Sequence, residues 1–67
     1  MAVVKVIELV GESHSSWEDA VHQAVKEAAK TIRNISGVEV LNWTADIGGA
    51  GDITSYRADV QIAFRVE

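Results

Sequence analysis

The run Tyr56-Arg57-Ala58-Asp59-Val60-Gln61-Ile62-Ala63-Phe64-Arg65-Val66 alternates without a break. Tyr56, Ala58, Val60, Ile62, Phe64 and Val66 fall on one side of an extended chain, while Ser55, Arg57, Asp59, Gln61 and Arg65 fall on the other. One side is therefore a core face. The polar side is either solvated or turned towards a partner contact or a ligand cavity. This strand starts at about Ile53, directly after Gly48-Gly49-Ala50-Gly51-Asp52, and so short a glycine-rich turn makes it antiparallel to the segment before it.

That segment is a second strand from Val38 to about Ile47, and its apolar phase changes partway. Val38 and Val40 alternate, then Leu41, Trp43, Ala45 and Ile47 alternate in the opposite register, so either a bulge flips the phase or both faces are covered. Upstream, Trp17, Ala20, Val21, Ala24, Val25, Ala28 and Ile32 recur at helical spacing. Ser15 with Glu18, or Ser16 with Asp19, offers a capping box that starts this helix near Trp17. Glu18 and Asp19 at its start and Lys26, Lys30 and Arg33 towards its end complement the helix dipole. The helix should stop between Asn34 and Gly37. The alanines of its stripe imply close approach to a sheet.

The first strand is read from Val3 to Val10 and ends at Gly11. Val4, Val6 and Val10 lie on one face and Val3, Ile7 and Leu9 on the other, which implies cover on both sides. The element order is β-α-β-β. A helical crossover makes strands one and two parallel, the hairpin makes strands two and three antiparallel, and the third strand takes the middle. The fold class is α+β: a β-α-β-β protomer with a three-stranded antiparallel or mixed sheet on one helix, one domain over residues 1–67. A single helix covers one face of that sheet and leaves the other face and the edges for neighbouring protomers.

Composition points the same way. A domain of 67 residues buries too little by itself to be comfortably stable, and small domains compensate with disulfides, metal or oligomerisation. The chain has no cysteine and two histidines, His14 and His22, which excludes disulfides and thiolate zinc sites and leaves self-association. A net charge of −4 argues against a nucleic-acid partner. Lys5 and Glu8 interrupt the amino-terminal apolar run, so neither a signal peptide nor a membrane span is expected, and a cytoplasmic protein is.

Few residues invite chemistry. His14 falls in a loop and His22 on the polar face of the helix, where it would pair with Glu18 or Lys26, so no nucleophile triad and no catalysis are expected. The glycine-rich turn leads into a strand and not a helix, which makes it a hairpin and not a phosphate loop. Asp46 and Asp52 flank it without the spacing of a calcium loop, and no metal site is assigned. Trp17 is expected in the core or as a staple, and Trp43 at a subunit interface.

Lys5-Val6-Ile7-Glu8-Leu9-Val10-Gly11-Glu12-Ser13, Ser16-Trp17-Glu18-Asp19-Ala20, Lys30-Thr31-Ile32-Arg33 and the third strand together resemble the dodecins, small flavin-binding proteins that assemble into hollow dodecamers. The resemblance implies a non-catalytic homododecamer that binds or stores a small ligand, with flavin (riboflavin or FMN) as the default cofactor. It also places the flavin site. The tryptophan that stacks on the flavin in those proteins, two residues before the Glu-Val of strand two, corresponds to Gly37, and the glutamine that hydrogen-bonds the ring corresponds to Arg57. Both positions depart from the family's pattern. Arg57 is expected instead to pair with a carboxylate, such as Asp59 or a neighbour's Glu39, or else to bind a nucleotide phosphate. The rival reading is a structural or cation-holding, calcium-like assembly without flavin.

Overall fold

The computed structural model describes residues 3–66. Its elements are β1 (Val3–Ser13), α1 (Trp17–Ala29), β2 (Ile35–Ile47) and β3 (Ile53–Val66). They form one three-stranded sheet in the order β1-β3-β2, with both outer strands antiparallel to β3. The run with the cleanest alternation is thus the central strand, and α1 lies on the face that carries Ala58, Val60 and Ile62.

The buried core is small and alanine-rich: Ala20, Ala24 and Ala28 of α1 against Ala58, Val60 and Ile62 of β3. Ile7, Leu9, Val21, Val25, Ile32, Ile35 and Val40 pack around it. Small side chains let helix and sheet approach closely, and the closest approach is at Gly11. A Cβ there would lie 1.9 Å from the carbonyl oxygen of Ala20. Gly11 therefore does not end the first strand, as its residue type implied; it sits inside β1, opposite Ala58, where only a hydrogen fits beneath the helix.

Two further boundaries differ from the sequence reading. The helix ends at Ala29, short of Asn34, because its last turn tightens: the amides of Lys30 and Thr31 donate to the carbonyls three residues back. Ile32 then folds against the core from outside the helix. The reversal falls on Asn34 at φ 64°, whose carbonyl accepts from the Arg65 amide at 3.0 Å. This tie lets β2 begin at Ile35, three residues before Val38. The phase change in β2 is a bulge. Val40 faces Val60 and Asn42 faces Asp59, so Leu41 is the extra residue and everything after it changes side.

At the amino end of α1, Ser16 is the cap, and its hydroxyl accepts from the Asp19 amide at 3.0 Å. The Asp19 carboxylate does not reach back to Ser16 as a capping box would. It accepts instead from the buried Ser13 hydroxyl at 2.6 Å, which ties the helix start to the end of β1. The glycine turn closes as expected, with the Gly48 amide donating to Asp52 O and the Gly51 amide to Gly48 O, and with Gly51 at φ 87°.

The result is a slab of 52 × 20 × 13 Å with a radius of gyration of 13.7 Å. A compact domain of this length would have a radius of gyration of about 11 Å. The excess comes from long strands carrying one short helix. The side of the sheet away from α1 is bare, with Val4, Val6 and Val10 each more than half exposed.

Candidate functional site

The bare face is also the polar face of β3, and its hairpin end is built around Arg57. The guanidinium bridges all three strands. Nη1 and Nη2 donate to the two oxygens of Asp46 at 2.8 and 2.7 Å, and Nε donates to Glu12 at 3.0 Å. The Ser55 hydroxyl adds a bond to Asp46 at 2.9 Å. Arg57 thus pairs within its own protomer, and with Glu12 and Asp46, not with Asp59 or Glu39. The reason is register: Glu12 lies directly opposite Arg57 on β1, and Asp46 lies opposite Ser55 on β2, one diagonal step away. Three of the five guanidinium N–H donors are committed to these two carboxylates.

Gly37 occupies the same face at the opposite end of the sheet. It pairs with Ala63, and nothing lies within 4 Å of where its Cβ would be. Its φ is not in the left-handed region, so the position is open in space and unstrained. Beside it runs a groove of about 460 Å³ lined by Asn34, Ile35, Ser36, Arg65 and Val66. Gly37 and Arg57 share a face but not a location, since six residues of β3 separate their rows, roughly 20 Å. One protomer does not bring the two positions onto one ring.

Trp43 is on neither of these sites. The bulge at Leu41 turns it to the helix side, where it stands half exposed, edge-on to Trp17 at 6.4 Å between ring centroids. Trp17 packs in turn against Tyr56 at 4.8 Å and donates Nε1–H to the Thr44 carbonyl at 2.8 Å. Trp17 is thus a half-buried bracket between helix start and hairpin. His14 places Nδ1 3.1 Å from the Thr54 carbonyl, so that nitrogen carries its proton. Among the described residues His22 makes no hydrogen bond to Glu18 or Lys26.

Two carboxylates are held below the ordinary range, Asp19 chiefly by the Ser13 hydroxyl and Asp46 chiefly by the Ser55 hydroxyl and then Arg57, each against some desolvation. In the unfolded chain both titrate near about pH 3.9. Below that the unfolded state takes up protons that the folded state resists, so stability present above about pH 4 is lost as pH falls through the folded values. Urea midpoints should drop across this acid window, and Asp46→Asn should remove part of the drop. An Asp46→Asn profile that keeps the full drop would show that the Arg57 cluster contributes none of it.

Among the described residues no group of three or more acidic, histidine or cysteine side chains could hold a metal ion, and no helix is long and apolar enough to cross a membrane. Two features carried no sequence signal. The packing role of Gly11 depends on where α1 lands, and the pairing of Arg57 depends on which carboxylates the register puts beside it.

Comparison with known proteins agrees with this geometry. The dodecin family model matches residues 3–67. The calcium dodecin of Mycobacterium tuberculosis is 35% identical over 66 residues, covering 98% of this chain and 92% of the relative. The dodecin of Thermus thermophilus is 37% identical over 65 residues, covering 97% and 93%. Among solved structures, that of the M. tuberculosis calcium dodecin, described as calcium-chelating with a novel calcium-binding site, superposes with a TM-score of 0.82 at 32% identity, covering 97% of this chain and 91% of that one. With its β-α-β-β sheet order, its single helix and matches along nearly its whole length, the chain belongs to the dodecin family.

Proposed function

We propose that the chain is the protomer of a non-catalytic homododecameric shell that binds a small ligand. The observation that carries this reading is the bare face of a slab 13 Å thin, where Val6 is 56% and Val10 60% exposed. The described residues form one helix and one sheet with no second layer over that face, and further copies supply one. Light scattering and native mass spectrometry should find a particle many times the 7.2 kDa chain mass. A stable folded monomer at micromolar concentration would refute it.

Flavin is the family's default ligand, and the two site positions weaken it here. Gly37 offers no ring to stack on, and Arg57 is occupied by Asp46 and Glu12. A lost aromatic stacking partner is worth about 0.5–1.5 kcal/mol beyond burial, so flavin should bind up to about tenfold more weakly than in a relative with the tryptophan. The second reading, a cation-holding assembly, is favoured by the similarity to a calcium dodecin. With no three-ligand cluster among the described residues of one chain, such a site would draw ligands from several copies. Equilibrium dialysis of the assembled protein against riboflavin, FMN and calcium separates the two. Retained flavin with no calcium favours the first, and the reverse favours the second.

A further inference from the structure

Halfway along the bare face two carboxyl groups meet without a counter-charge. Glu8 on β1 lies opposite Gln61, and Asp59, two residues earlier on β3, lies opposite Val10, so the acids are diagonal neighbours on one side of the sheet. That register sets the two acids side by side, and pairing with Asp59, then the Asp59 charge and then desolvation, hold the Glu8 carboxyl above the ordinary glutamate range. Asp59 also has an oxygen, Oδ1, that is buried in the protomer and has no hydrogen-bond partner. Two ionised carboxylates offer only acceptors, so as an ionised pair this contact lacks a donor.

Across β3, Asn42 of β2 faces Asp59, and Glu39 faces Gln61. Asn42 and Gln61 carry amide donors, but Asp59 Oδ1 accepts from neither. Along β1 the same-face neighbours are Val6 and Val10, with Glu12 beyond. The nearest cation is Arg57, two residues along β3, and its Nε, Nη1 and Nη2 are taken by Glu12 and Asp46. The helix packs on the opposite face. A divalent cation is the other species that could join two carboxylates, but it needs about six oxygen ligands, and no third acidic or histidine side chain joins the pair among the described residues. A proton needs only two oxygens.

We propose that Glu8 and Asp59 share one proton, the Glu8 hydroxyl donating to the Asp59 carboxylate, and that this pair makes contact between copies on the bare face tighten in mild acid and loosen as the proton leaves. Glu8 stands between the two most exposed valines on its side of that face, so a surface covering them also covers it. Cover penalises an ionised pair more than a protonated one. A glutamate whose folded value is raised contributes stability that is complete below its unfolded value, about pH 4.3, and is lost as pH rises through the raised value. That window lies above the one in which Asp19 and Asp46 act. The coupling to assembly rests on the self-association proposed above, whereas the shared proton does not.

The test is an infrared titration of the intact protein in the carboxyl region, run beside melting curves and light scattering over the same pH range. A protonated-carboxyl band should persist in the unaltered protein at pH values where an isolated glutamate is fully ionised. Both Glu8→Gln and Asp59→Asn should abolish it. Glu8→Gln keeps a donor at that position, so at neutral pH it should melt where the unaltered protein melts in mild acid, with a flat profile between. Absence of the band, or its survival in both variants, overturns the shared proton. A Glu8→Gln protein that fails to fold overturns it too, because this variant imitates the favoured form. A melting temperature moved by calcium and restored by chelator in the unaltered protein, but unmoved by calcium in both Glu8→Gln and Asp59→Asn, puts a cation between the acids instead. Persistence of the band in a protein that scatters as a monomer keeps the proton and refutes the assembly.

Discussion

Gly11→Ala should abolish the folded particle. The added Cβ would sit 1.9 Å from the carbonyl oxygen of Ala20, 2.9 Å from its carbonyl carbon and 3.0 Å from the Ala24 Cβ. All three belong to a helix face with nothing flexible to yield, so α1 must lift off β1. Lifting the helix withdraws Ala20, Ala24 and Ala28 from Ala58, Val60 and Ile62, which together are the buried apolar core among the described residues. Overpacking costs typically 1–3 kcal/mol and sometimes more, and a clash with backbone belongs at or above the top of that range. Because total stability is about 5–15 kcal/mol even for larger domains, the variant should show no cooperative urea transition, or one at a far lower midpoint, and no large particle by light scattering. A midpoint near that of the unaltered protein would mean that helix and sheet do not approach this closely.

The same residue shows where the sequence stops being readable. Gly11 looks like a strand terminator because glycine weakens strands, and only the placement of α1 over β1 turns it into a packing requirement. Period-two alternation from Tyr56 to Val66 identified the central strand and both its faces, since a strand buried on one side has no other stable register. The opposite phases of Val40 and Trp43 allowed either a bulge or cover on both faces, and gave neither the position of the bulge at Leu41 nor the side on which Trp43 ends. The helix stop was legible as a region and not as a residue: Ile32 continues the helical stripe, yet the tightened turn after Ala29 carries it out of the helix and into the same core. The pairing of Arg57 was the least legible. Several carboxylates lie on its face, and choosing Glu12 and Asp46 over Asp59 requires the register of both outer strands, which no local pattern encodes.

Gly37→Trp combined with Arg57→Gln should create flavin binding in a particle that still assembles. At Gly37 the structure removes the main objection to so large a replacement. The backbone is not left-handed, the space where a side chain would grow is empty, and the groove with Arg65 opens beside it. A tryptophan there would present its face on the bare side of the sheet without entering the core. Arg57→Gln acts elsewhere, since roughly 20 Å of β3 separate the two rows. It frees the hairpin end of that face from the guanidinium, but it also leaves Glu12 and Asp46 close together without their cation, so some loss of stability should accompany it and should be greatest where both acids are ionised. Because the two positions are far apart in one chain, a ring that uses both must lie between copies. The gain should therefore appear in the assembled particle and vanish when the particle is dissociated. Stacking alone is worth about 0.5–1.5 kcal/mol, so Gly37→Trp by itself should improve flavin affinity by up to about tenfold. Arg57→Gln by itself should do little, and the pair should exceed either. Flavin fluorescence quenching, titrated against the assembled variants, reads each of these. A double variant that assembles normally and quenches no more than the unaltered protein would mean that Gly37 and Arg57 do not occupy a flavin site in this chain.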